Sequence, residues 1–127
     1  MKAFHWALAL VCGPAMALAG PFDGTYRQAA NADCGLVGVD GGAVKIEDGI
    51  FYGVESQCRM TRPVDVIDMN AQLYTMECSG EDTLWTERAM VMEAAEIDGI
   101  IMIWDGYAFV YERCKDPAAS DEAAAEE

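Results

Sequence analysis

Histidine is almost missing from this chain. His5 is the only one, and it sits within the first nineteen residues, MKAFHWALALVCGPAMALA. If that stretch is removed on export, no imidazole remains, which excludes Ser-His-acid and Cys-His nucleophilic sites, histidine zinc sites and imidazole bases. Basic residues are scarce as well, 8 Lys and Arg against 22 Asp and Glu, a formal charge of -14. The few bases are scattered among acids, so no basic face is available for phosphates and nucleic acid is excluded as a partner. Such acidity keeps a protein soluble and attracts cationic partners. EF-hand spacing is absent, and Asp40-Gly41-Gly42 lacks the lysine and helix start of a phosphate loop.

No hydrophobic run reaches the ~18 residues that suggest a membrane span. The N-terminus instead reads as a signal peptide: Lys2, an apolar run over residues 3–11, a break at Gly13-Pro14 and an A-x-A site at Ala17-Leu18-Ala19. Cleavage after Ala19 starts the mature chain at Gly20, with no membrane span left in it, and carries Cys12 away. Four cysteines remain, Cys34, Cys58, Cys78 and Cys114, an even number that points to two disulfides and a periplasmic or secreted location. The expected layout is a signal over 1–19, one β domain over 20–116 and a disordered acidic tail, PAASDEAAAEE, over 117–127.

Residues 43–58, AVKIEDGIFYGVESQC, carry the clearest pattern. Val44 and Ile46 alternate with Lys45 and Glu47, Asp48-Gly49 turns the chain, and Ile50, Tyr52 and Val54 alternate again up to Cys58. A similar unit, with Asp105-Gly106 at its turn, ends at Cys114. Residues 22–27 read as a first strand and 28–42 as a long loop. Pro63 makes residues 59–68 a crossing loop or edge strand. Strands follow over 69–78 and 84–93, and AMVMEAAE at 89–96 allows a helical turn near Glu93. Residues 100–104 are apolar throughout and read as buried on both faces. The expected fold is all-β, a small antiparallel meander of about seven strands closed as a barrel or folded as a sandwich.

Strand alternation in this layout puts Cys58 and Cys114 at one end with the Cys34 loop, and Cys78 at the other. In the hairpin register Cys58 lies opposite about Val39. The pairing favoured is therefore Cys34 with Cys58, leaving Cys78 with Cys114 by exclusion.

Carboxylates are the remaining groups for acid-base chemistry. Asp65 and Asp68, near Asn70, have the composition of a glycosidase pair or calcium site, although solvated charge accounts for them more simply. Six mature methionines suit a core better than a copper site. Arg88 shares a strand face with Leu84, Thr86, Met90 and Met92, and either pairs with an acid inside a barrel or extends to the rim. Trp85, Trp104, Tyr107, Phe109 and Tyr111 line a pocket, an interface or the core.

Gly24-Thr25-Tyr26 resembles the G-x-W start of calycin (lipocalin-type) barrels, with Tyr26 in place of tryptophan. That resemblance implies a basic residue of the last strand over the ring, with Arg113 the matching position. FDGTYR, DGGA at 40–43, FYGVESQC at 51–58, the Cys78-Ser79-Gly80-Glu81 stretch and Arg113-Cys114 are similar to uncharacterised small four-cysteine secreted proteins of alphaproteobacteria. This second likeness implies a bacterial envelope location and no activity.

The expected function is a non-enzymatic periplasmic binding domain without cofactor or metal. Its preferred partner is a protein, with inhibition of a cationic envelope hydrolase as one version. The ligand or partner contacts are expected at Arg88, Trp85, Trp104, Tyr107 and Tyr111. The alternatives are a barrel holding a small apolar ligand between Trp85, Met90, Trp104 and Tyr107, and a glycan enzyme using Asp65 and Asp68.

Overall fold

The computed structural model describes residues 20–115; the expected signal and acidic tail lie outside the described residues. Nine strands and no helix are described: β1 (Gly24–Arg27), β2 (Asp33–Val37), β3 (Gly42–Glu47), β4 (Ile50–Gly53), β5 (Ser56–Asp65), β6 (Ala71–Gly80), β7 (Thr83–Glu93), β8 (Gly99–Trp104) and β9 (Tyr107–Arg113). From β3 to β9 each strand pairs antiparallel with the next, and β1 pairs with both β9 and β3. That double pairing closes an eight-stranded barrel, not a sandwich. β2, inside the stretch expected to be loop, lies parallel to β3 as a ninth strand.

Turn chemistry explains the tight meander. Asp48 and Gly49 both take positive φ, 53° and 75°, so Glu47 and Ile50 face each other across a two-residue turn whose twist suits a hairpin. Glu81 and Asp82 do the same without a glycine, joining Gly80 to Thr83. The chain also reverses at Val54-Glu55, where Gly53 pairs with Ser56 and Glu55 has φ 51°. This turn is invisible to the alternation pattern because Val54 continues the period of Tyr52. It splits the expected strand in two and moves Cys58 into the next one.

That shift corrects the disulfide pairing. Cys58 stands directly opposite Cys78 on β5 and β6, with Cα atoms 4.0 Å apart, and the two are bonded. Cys34 on β2 bonds Cys114 just after β9. Neither Cys34–Cys58 nor Cys78–Cys114 exists. Cys114 N–H also donates to the Thr25 carbonyl, so the Cys34–Cys114 bond staples β2 across the seam where the barrel closes. Two disulfides are the mark of an oxidising, non-cytoplasmic compartment. Among the described residues no helix is long and apolar enough to cross a membrane.

The interior is filled. Tyr26, Met76, Val91, Ile100 and Met102 are fully buried within one cluster that also takes in Cys58 and Cys78. Phe51 and Trp104 pack at 5.7 Å between ring centroids near one end. β8 alternates instead of being buried on both faces: Ile100 and Met102 point inward, while Ile103 is 36% exposed. Residues 89–92 continue as strand, because ten ladder pairs with β6 outweigh helix propensity.

Candidate functional site

One end of the barrel is shut by its own N-terminal segment. Phe22 is buried there, and its carbonyl accepts a 2.6 Å hydrogen bond from the Tyr26 hydroxyl. Arg113 lies over the Tyr26 ring, its guanidinium carbon 5.0 Å from the centroid, and donates through Nη1 to the Asp23 carbonyl at 2.9 Å. Its Nε donates to Asp98 at 3.2 Å. Gly24 makes room, since a Cβ there would meet Arg113 Nη1 at 2.3 Å. Burial raises the Tyr26 pKa and the Arg113 charge partly offsets it. The Tyr26 hydroxyl and Arg113 Nη1 are both spent on the backbone of the N-terminal segment, so this cluster reads as a structural plug.

The sequence-derived site residues do not converge. Trp85 and Trp104 are half-buried against the core, Tyr111 is buried, and Tyr107 is 68% exposed. On β7 the inward positions are Trp85, Glu87, Ala89 and Val91, with the Trp85 indole donating to Glu87. Arg88 therefore points outward, to no acid inside the barrel, and makes no ion pair among the described residues. Met90 shares that outer face, so Trp85, Met90, Trp104 and Tyr107 cannot line one cavity. Asp65 accepts a 2.7 Å bond from Gln72, and both Asp65 and Asp68 are exposed. No cluster of three or more metal-ligating side chains occurs among the described residues.

What the outer face does bring together is apolar. In register across the sheet stand Leu73, Met90, Ile103 and Ala108, and beside them Met92, Ile101 and Val110, with Ala71 at the β6 end of that row buried. Val64 extends the first row onto β5. Val64 and Val110 are 50% and 54% exposed. The wet side of an antiparallel sheet is ordinarily polar, and a contiguous apolar field there marks a contact surface. Arg88, opposite Thr75, borders the field, and Arg59 with Glu77 at 3.6 Å lies one register step beyond. The sequence grouped Met90 and Met92 with Arg88 on one face of β7 but expected Met90 inside the barrel, and it did not single out the rest of the field. The signal was present in the all-apolar run of β8, where Ile101 and Ile103 face out.

A second feature is a cleft of ≈480 Å³ lined by Tyr26, Val44, Val54 and Tyr111 together with Gln28, Asn31 and Asp40 of the 28–42 segment. Burial alone pushes the Tyr111 pKa up to about 12, which keeps its hydroxyl neutral beside the cleft. Compared with protein-family models, curated proteins and solved structures, the chain matches none.

Proposed function

We propose that this is a non-enzymatic, periplasmic or secreted protein-recognition domain whose contact surface is the outer face of β6 to β9. The apolar field on that face carries the reading: burying it against a partner removes it from water, and Arg88 at its edge is the residue type that most often anchors an interface. The filled interior supports a protein partner over a small apolar ligand held inside the barrel. The exposure of Asp65 and Asp68 supports a non-enzymatic role, because neither is removed from water as a catalytic carboxylate ordinarily is.

The test pairs the wild-type protein with an Ile101→Lys, Ile103→Lys double variant, both confirmed folded by circular dichroism. A partner retained from periplasmic extract by the wild type is expected to be lost by the variant; equal retention rejects the surface. The hydrolase-inhibitor version is tested with lysozyme at low and moderate salt. Undiminished turnover in excess of this protein at low salt rejects that version.

A further inference from the structure

The barrel wall has a gap where β1 stops. β1 faces β9 at two positions only, Tyr26 opposite Arg113 and Arg27 opposite Glu112. Beyond Arg27 the chain turns out of the wall, with Arg27 Nη1 reaching back to the Ala30 carbonyl at 3.0 Å. The rest of β9, residues 107–111, is paired on its β8 side alone.

Backbone parity shows which groups are left over. Arg113 N–H donates to the Asp98 carbonyl, toward β8, whereas Cys114 N–H donates to the Thr25 carbonyl, toward β1. Successive residues of an antiparallel strand alternate in this way, so Glu112, Val110 and Ala108 all direct N–H and C=O to the β1 side. Glu112 meets Arg27 there. Val110 and Ala108 meet no strand among the described residues, and both are exposed. The ≈480 Å³ cleft opens in the same gap, between Tyr111 on β9 and Val44 on β3.

We infer that this gap is a strand-addition site: an extended segment of a partner protein, alternating apolar and basic side chains, pairs antiparallel to β9 through Ala108 and Val110. The inference rests on the protein-recognition reading and says how the partner is held. An unpaired edge is a template for main-chain hydrogen bonds, and alternate side chains of the added strand supply selectivity. One set enters the cleft, where Gln28, Asn31 and Asp40 stand among the walls with Tyr26 and Tyr111; Asp40 is the only charged residue lining it and the chain as a whole carries -14, so that set is basic. The other set lies beside the exposed Ala108 and Val110 on the outer face, so that set is apolar. Val110 also ends one row of the outer apolar field, so a strand seated here continues the proposed contact surface.

Amide hydrogen exchange of the oxidised protein, followed by NMR, tests this with a short peptide alternating valine and lysine as the probe. In the free protein the Ala108 and Val110 amides are expected to exchange about tenfold or more faster than those of Phe109 and Tyr111. The peptide is expected to slow those two and to shift Tyr111 and Val44 resonances. A version with glutamate for lysine, or one with alternate backbone nitrogens methylated, is expected to do neither. Val110→Pro, which removes an N–H that β8 does not use, is expected to abolish the effect with the fold intact.

Protected Ala108 and Val110 amides in the free protein overturn the inference. So does unchanged exchange with the valine-lysine peptide, or an equal effect from the methylated one, a comparison that does not depend on any variant folding. Partner capture that is lost in Ile101→Lys, Ile103→Lys but kept in Val110→Pro overturns strand addition and leaves the recognition surface standing.

Discussion

Tyr111 shows how a single residue ties the fold to pH. Its pKa is pushed from the usual phenol value to about 12 because burial penalises the phenolate. Between pH ~10 and about 12 the unfolded chain ionises this hydroxyl and the folded one does not, so the folded state binds more protons and stability falls as pH rises. The contribution is fully present below pH ~10 and lost by about 12. Denaturant midpoints taken across that window are expected to decline for the wild type and to decline less for Tyr111→Phe. Arg113 is the other informative residue. Arg113→Met keeps the length of the side chain but loses the bond to the Asp23 carbonyl and the charge over Tyr26, and is expected to cost about 1–3 kcal/mol in urea unfolding. Conversely Gly24→Ala places a Cβ where Arg113 Nη1 lies, and is expected to destabilise by the same displacement. The Arg113–Tyr26 contact was expected only through the likeness of Gly24-Thr25-Tyr26 to the start of calycin barrels. The outward direction of Arg88 was not readable in advance, since one strand seen alone has two faces and nothing in it names the inner one.

At the scale of elements, the two disulfides close loops of very different length, with sequence separations of 80 and 20. Chain-entropy estimates give about 4.5 kcal/mol for the first and about 3.3 kcal/mol for the second. Cys34→Ala, Cys114→Ala is therefore expected to lower the unfolding free energy more than Cys58→Ala, Cys78→Ala. Both are measured by denaturation in the absence of reductant. The difference should exceed the estimate, because Cys58 and Cys78 are already neighbours in a ladder of seven β5–β6 pairs. The Asp48-Gly49 and Asp105-Gly106 turns were visible in composition. Val54-Glu55 was not, as neither residue is a turn former and only the pairing of Gly53 with Ser56 reveals the reversal. Every strand after that point ran opposite to expectation, which is why the cysteine pairing failed while the strands themselves were found.

For the whole molecule, charge and shape act together. The chain carries 22 acids against 8 bases, so its like charges repel, and the repulsion is screened as the Debye length falls from ~30 Å at 0.01 M to ~8 Å at 0.15 M salt. The thermal midpoint is expected to rise over that range. Attraction of a cationic partner is expected to weaken over the same range, so stability and binding should move in opposite directions with salt.

Composition, alternation and an even count of cysteines beyond residue 19 were enough to determine an all-β, disulfide-bonded, acidic domain, because each of those properties belongs to residues or to short windows of chain. Which cysteines bond, which side of β7 is inside, where the apolar outer field lies and where the wall is left open were decided only by tertiary structure. All four depend on register and closure, which place residues far apart in the chain opposite one another, and a change of one turn reassigns them all.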